Sequence, residues 1–357
     1  MKNKVRYALV AFLPLQWILL KVLAHYPSLV EDYYTHGIYP YISRGFRYAL
    51  GWIPFSFGDL LYCALIVMLV RGLYLLIKKR FANWRPLSLQ LIAGFSLLYF
   101  AFHAAWGFNY YRLPLHQALE IEKDYTTDEL VVLTQKLVQR ANVLHAQLQQ
   151  DDSLAVVFDF KKSALFKATP TGYDQLSATF PSLEYHPRSL KVSLLSYPLS
   201  ITGFSGYLNP LTNEAQINGL IPKYRWPLVC SHEIAHQLGF AKENEANFIA
   251  CLATMSHPDP YFQYSGTIFA LRNCLGELYR RDQEQGRAAR ESMRYGIIAN
   301  YQETQRFWSS FENPFEPFTK AFYSGYLKSN NQPEGMLSYN YVVALLVNYD
   351  KAHGQFP

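Results

Sequence analysis

Residues 230–250 read CSHEIAHQLGFAKENEANFIA, a stretch whose residue types and spacing can do chemistry. His232 and His236 are four positions apart, so on a helix both imidazoles leave the same face and can reach one ion. Glu233 sits beside the first of them, where its carboxylate can hold a water and take its proton. This is the arrangement for hydrolysis assisted by a divalent metal. Zinc is the expected ion, because it lowers the pKa of a bound water from 15.7 to about 7. The same ligand types would accept other divalent ions. Pro227 shortly before the histidines suits a helix start, and Gly239 suits its end.

A catalytic zinc of this type takes three protein ligands and leaves one position open. One common pattern places a third histidine six residues after the second, but that position is Lys242. The third ligand is therefore expected to be a carboxylate, and Glu243 and Glu245 compete for the role. On an unbroken helix Glu243 would lie about 10 Å beyond His236, too far to share an ion. The chain must turn, and Gly239 makes a left-handed helix terminus cheap. A second helix starting near Lys242 puts Glu243 and Asn247 on one face and turns Glu245 roughly 200° away. That geometry favours Glu243 as the ligand and leaves Glu245 as a solvated helix residue. Asn247 can then accept a hydrogen from a ligand imidazole.

The block HEIAH followed by ENEAN resembles the gluzincin arrangement. The resemblance implies zinc on His232, His236 and Glu243, with Glu233 as base and Asn247 supporting a ligand. The whole chain is also similar to the bacterial domain-of-unknown-function family 3810. The stretches that carry this similarity are IPFSFGDLLY, WGFNYYRLPL, GYLNPLTNEAQIN, HEIAHQLGFAKENEANFIA and GMLSYNYVVALL. It implies three hydrophobic segments followed by a zinc-peptidase domain, and it supplies no substrate.

The elements that must position this block begin with three apolar segments. Residues 7–24, 57–77 and 87–108 each have about the 20 residues that a helix needs to cross a bilayer. A cleavable leader is the rival reading of the first. No small-residue cleavage site follows it, however, and another apolar span soon does. Arg71 lies near the end of its segment, where a long side chain can reach the interface. Lys2, Lys4 and Arg6 precede the first span, and Lys78, Lys79, Arg80 and Arg85 fill the loop between the second and third. The loop between the first and second has only Arg44 and Arg47, beside Glu31 and Asp32. The positive-inside bias then places the N-terminus in the cytoplasm and everything after Phe108 outside the cytoplasmic membrane. Trp106, Tyr110 and Tyr111 read as an interfacial aromatic belt at that exit. Residues 38–55 lie either along the outer surface or in an ordered loop.

From about Arg112 the composition becomes that of a folded extracytoplasmic domain. Thr126 and Glu129 form a capping box, and Leu130, Leu133, Leu137 and Leu144 recur at helical spacing. SLKVSLLSY reads as a strand and GYLNPLTNEAQIN as a hairpin turning at residues 209–213. If this hairpin edges the cleft, residues 215–218 would face an extended peptide; a purely structural hairpin is the other reading. Tyr339 and Tyr341 are candidates to meet a transition-state oxyanion, although packing suits tyrosines equally well. His103 and His257 read as structural. Cys63 reads as a small buried residue, and the four cysteines lack the spacing of a zinc knuckle.

Composition narrows the function classes. Half of the 357 residues are apolar and only 17% are charged, below the roughly 25% usual for soluble domains. The net charge of +6 is not gathered into a basic stripe, which argues against nucleic acid as a partner. The expected fold is α+β, with three transmembrane helices over residues 1–108 and a mainly helical zincin-like domain with a small sheet over residues 109–357. The expected activity is that of a membrane-anchored zinc metallopeptidase whose partners are the lipid bilayer and a peptide or protein substrate at the outer membrane–water surface. A non-catalytic zinc-binding assembly or scaffold protein is the alternative, and it would need the three ligands but not Glu233.

Overall fold

The computed structural model describes residues 2–78, 84–332, 341–354 and 356–357. The chain is mostly helical, with one small sheet. Three helices, α1 (Lys2–Leu23), α3 (Phe57–Lys78) and α4 (Trp84–Ala105), are long and apolar enough to cross a membrane. At 1.5 Å per residue, 22 residues reach about 33 Å. Their apolar side chains are largely exposed, as a surface meant for lipid requires. Where α1 meets α4, Gln16 donates to the hydroxyl and carbonyl of Ser96 at 3.0 and 3.2 Å. Cys63 on α3 is exposed with these apolar neighbours rather than buried, and none of the four cysteines is paired. Lys79 and Arg80, on which part of the orientation argument rests, lie outside the described residues.

Between the first two spans the chain is helical and not a loop. A π-helical segment, Val30–Ile38, leads into α2 (Tyr39–Leu50). Tyr39, Ser43 and Arg47, spaced by four, are buried, while Tyr41 and Tyr48 on the other side are exposed. The third span ends at Ala105, earlier than expected. Trp106, Tyr110 and Tyr111 do not form an interfacial belt; all three are buried in a cluster with Leu20, Tyr39 and Leu208. The side chains that looked like interface anchors instead join the ends of the apolar helices to the rest of the protein. Packing and hydrogen bonds therefore cross the expected boundary between residues 108 and 109.

The remainder is built on α5 (Thr127–Leu148), α6 (Trp226–Gln237), α7 (Glu243–Met255), α8 (Pro260–Arg281), α9 (Glu316–Ser329) and α10 (Val342–His353). The capping box at Thr126 and Glu129 forms as its sequence pattern implies. Leu130, Leu133, Leu137 and Leu144 of α5 join the main core with residues of α7, α8 and α10. The sheet has three strands in the order β1 (Leu190–Val192), β3 (Glu214–Ile217), β2 (Gly206–Asn209). β1 and β3 are parallel, β2 and β3 antiparallel. Only the first half of SLKVSLLSY is extended; Ser196–Thr202 is a short helix.

The hairpin forms, with Asn213 at positive φ in its turn. Its strands exchange the expected roles, however. β3 is hydrogen-bonded on both sides and fully buried, so residues 215–217 cannot receive a peptide; the Asn218 backbone N–H donates to Ser205 O and its side-chain amide to Ser200 Oγ and Phe204 O. β1 and β2 are the edge strands, and β2 is the one that lines the cavity beside the histidines.

Candidate metal centre

α6 starts with Pro227 in its first turn, where the missing N–H costs nothing. It carries Glu233 and both histidines and stops at Gly239, whose φ is +94°. A side chain at this glycine would be strained and would also crowd Asn109 and Tyr39. The bend sends the chain into α7, which begins at Glu243 with Lys242 as its N-cap. Glu243 Oε2 comes to 3.2 Å from His232 Nε2 and 3.8 Å from His236 Nε2. One ligand atom from each of the three residues lies within 4.8 Å of the others. The expected trio is thus brought together.

The details suit a cation held between them. His236 Nδ1 is 2.7 Å from the Phe240 carbonyl, which fixes the proton on Nδ1 and leaves Nε2 free to ligate. Glu243 divides its oxygens: Oε1 accepts from the Tyr323 hydroxyl at 2.7 Å, and Oε2 faces the imidazoles. Asn247 lines the same cavity and lies beside His232, favouring the charged form of that ring. Burial opposes charge on His236, but the Glu243 carboxylate outweighs it and holds the ring up at about 9. Burial also works against the Glu243 carboxylate, and the two imidazoles overcome it and keep the group ionised. His232 is pushed down, first by burial and then by His236. A single buried carboxylate thus draws positive charge toward the two rings. The donor set fits zinc: two imidazoles and one oxygen are a known catalytic combination.

Glu233 points into the same space. Burial lifts its carboxyl to about 8, and Oε2 has no hydrogen-bond partner among the described residues. β2 passes so close that a Cβ at Gly206 would stand 2.7 Å from Glu233 Oε1. A glycine there lets the strand lie directly against the Glu233 carboxylate. Around these groups is a cavity of about 690 Å³ lined mainly by apolar residues. Tyr62 and Phe102 from the spans form one side, β2 and Phe204 another, and Tyr323 and Tyr326 of α9 a third. The Arg225 guanidinium also reaches this wall, and its Nη1 has no partner among the described residues.

Glu245 is not the solvated residue that helix geometry suggested. It is 3% exposed and accepts from the Leu115 amide at 2.9 Å, on the side of α7 away from the histidines. Its buried position follows from that distant amide, which would otherwise lack a partner. Tyr341 lines a different pocket with Lys242 and Glu245, and Tyr339 lies outside the described residues. The tyrosine that hydrogen-bonds to the cluster is Tyr323, which the sequence reasoning passed over. His103 and His257 bond to backbone carbonyls, Tyr99 at 2.9 Å and Ala168 at 3.1 Å, as structural histidines do.

α2 and the segment that follows α4 hold α6 in place. The last carbonyls of α6 lack helical partners. His236 O accepts from Trp106 Nε1 at 2.8 Å, and Gln237 O accepts from Tyr39 and Ser43 at 2.8 and 2.9 Å. Arg112 donates to Gly239 O at 3.2 Å while forking onto Glu31 at 2.9 and 2.6 Å, a buried bidentate pair. Residues from the first third of the chain therefore fix the turn that brings Glu243 back to the histidines.

No curated protein and no solved structure matches this chain. The family described as "Protein of unknown function (DUF3810)" matches residues 34–347, a range that includes the second and third spans, the sheet and the whole metal cluster. The chain belongs to the DUF3810 family.

Proposed function

We propose that the protein is a membrane-anchored zinc metallopeptidase of zincin-like organisation, with its N-terminus in the cytoplasm and its catalytic centre on the outer side of a bacterial cytoplasmic membrane. The observation that carries this reading is the meeting, in one cavity beneath a free strand edge, of a three-ligand cluster and an unpaired buried carboxylate. His232, His236 and Glu243 would hold the ion, with Tyr323 orienting Glu243 and Asn247 beside His232. Bound there, zinc would supply Lewis acidity, polarising a substrate carbonyl and acidifying a water.

The chain's own groups account for the rest. An extended peptide can pair with the open edge of β2, which positions its carbonyl carbon beside Glu233. Glu233 takes a proton from water as the water oxygen bonds to that carbon. The C–N bond then breaks, the proton passes to the departing amine, and a carboxylic acid and an amine result. A carboxyl lifted by burial suits both halves of this task, since it binds the proton firmly enough to carry it and weakly enough to release it.

The test is Glu233→Gln, with metal content and polypeptide processing both followed. The proposal expects metal content to stay unchanged, processing to fall by roughly 10²–10⁴-fold, and uncut polypeptides to accumulate in the membrane or secreted fraction. A cellular phenotype that survives Glu233→Gln but is lost with His232→Ala would contradict turnover and favour the non-catalytic zinc-binding role.

A further inference from the structure

The wall of the cavity formed by α9 has a second face. Phe315, Phe318 and Phe322 follow one another at three- and four-residue spacing, so they share one side of the helix. Each is 72% exposed, although buried positions are available to phenylalanine elsewhere in the chain. Lys320, two residues from Phe318 and from Phe322, projects roughly 200° from both and pairs with Glu316. One turn on from Phe322, Tyr326 packs edge-on against Phe102 and Tyr110, with ring centroids 6.4 Å apart in each case. Phe102 lies in the last turn of α4, at the outer end of a span. The aromatic face of α9 therefore starts at the level where a spanning helix leaves the bilayer. At the other end of α9, Asn313 holds the carbonyl of Ile201 at 2.9 Å, next to the exposed Tyr197 and Leu194.

We propose that α9 seats Phe315, Phe318 and Phe322 in the headgroup–acyl boundary of the outer leaflet, so that the catalytic cavity opens at the membrane surface and not into bulk solvent. This deepens the surface-substrate reading given above and rests on it for the substrate's location. The seating of α9 itself does not depend on catalysis. Continuity with the spans is the first argument for lipid as the occupant. Area is the second: three phenylalanines offer roughly 450–750 Å² at most, whereas a stable protein–protein interface takes about 800 Å² from each partner. An amphipathic helix needs no such threshold, because it inserts only its apolar face, to a depth of about 5–10 Å. With α9 seated in this way, Tyr323 on its inner flank orients Glu243 while the outer flank touches lipid.

The experiment uses the full chain, with Cys63→Ala to remove the one exposed thiol, reconstituted in phosphatidylcholine–phosphatidylglycerol vesicles. Nitroxide labels are placed singly at Phe318→Cys, Phe322→Cys and Lys320→Cys, and collision with oxygen is compared with collision with a water-soluble nickel chelate. The expected result is oxygen favoured at 318 and 322 and the chelate favoured at 320. Chelate-favoured collision at all three sites would overturn the proposal, as would dipolar broadening at 318 and 322 from a second copy covering the face. Neither result bears on metal content or on the Glu233→Gln test, so failure here is distinct from failure of the peptidase reading.

Discussion

Two buried carboxylate clusters lie on either side of β2 and β3, and they differ in one respect. In the first, Glu214 accepts from the amides of Phe57 and Gly58, from Thr212 and from Lys191. Its neighbour Asp59 accepts from the Leu194 amide, Ser193 and Tyr207, and Gln216, with its amide nitrogen turned inward, donates to both oxygens at 3.0 and 2.9 Å. Every oxygen is satisfied, and the product is a rigid joint: the N-terminus of the second span is capped by a strand of the sheet. In the second cluster, Glu233 Oε2 is buried without a hydrogen-bond partner among the described residues, and a cavity adjoins it. Buried polar groups are normally paired, and leaving one unpaired costs about 1–3 kcal/mol. The comparison teaches that the first cluster closes on itself, whereas the second leaves a buried carboxylate oxygen beside a cavity, as the proposed reaction would need.

The sharpest way to break this contrast is to remove Glu214. Glu214→Ala would leave Lys191 buried without its partner and two helix N–H groups uncapped. A loss of about 3–5 kcal/mol in denaturant unfolding is expected. Metal content of the folded fraction should not change. Tyr323→Phe acts on the other cluster. It removes the hydrogen bond that orients Glu243 and should weaken metal binding by roughly 10–100-fold in a chelator competition, with little change in unfolding. Gly239→Ala strains the bend between the two ligand helices and should cost about 1–2 kcal/mol, read by the same unfolding assay. Glu245→Gln has the smallest effect. Its amide oxygen can still accept from Leu115, so metal stoichiometry should match that of the unaltered protein. If Glu245→Gln released the ion and Glu243→Gln did not, the assignment of the third ligand would be reversed.

Much of the centre was legible because it is local. Histidines four apart, a glycine that permits positive φ and a carboxylate at the next helix start follow from helix geometry over fewer than two dozen residues. The spans were legible because crossing a bilayer imposes length and composition. What the sequence withheld are pairings between distant segments. Tyr323 meets Glu243 across 80 positions, and Glu245 is buried by an amide 130 positions away. With 28 tyrosines in the chain, nothing local marks Tyr323 among them. Trp106, Tyr110 and Tyr111 misled for a related reason: an aromatic side chain after a span suits an interface or a core equally well, and only the distant residues that cover them, Leu20, Tyr39 and Leu208 among these, decide between the two. The roles of β2 and β3 depended on β1, because the hairpin alone does not say which of its strands a third one will cover.

The most direct test of the central claim is elemental analysis of the detergent-purified full chain beside His232→Ala and Glu243→Ala. The account predicts about one tightly held divalent ion per chain, absent from both variants and released by acid as the imidazoles take up protons. A folded protein with no stoichiometric metal, or one whose metal content is the same in all three, would contradict it.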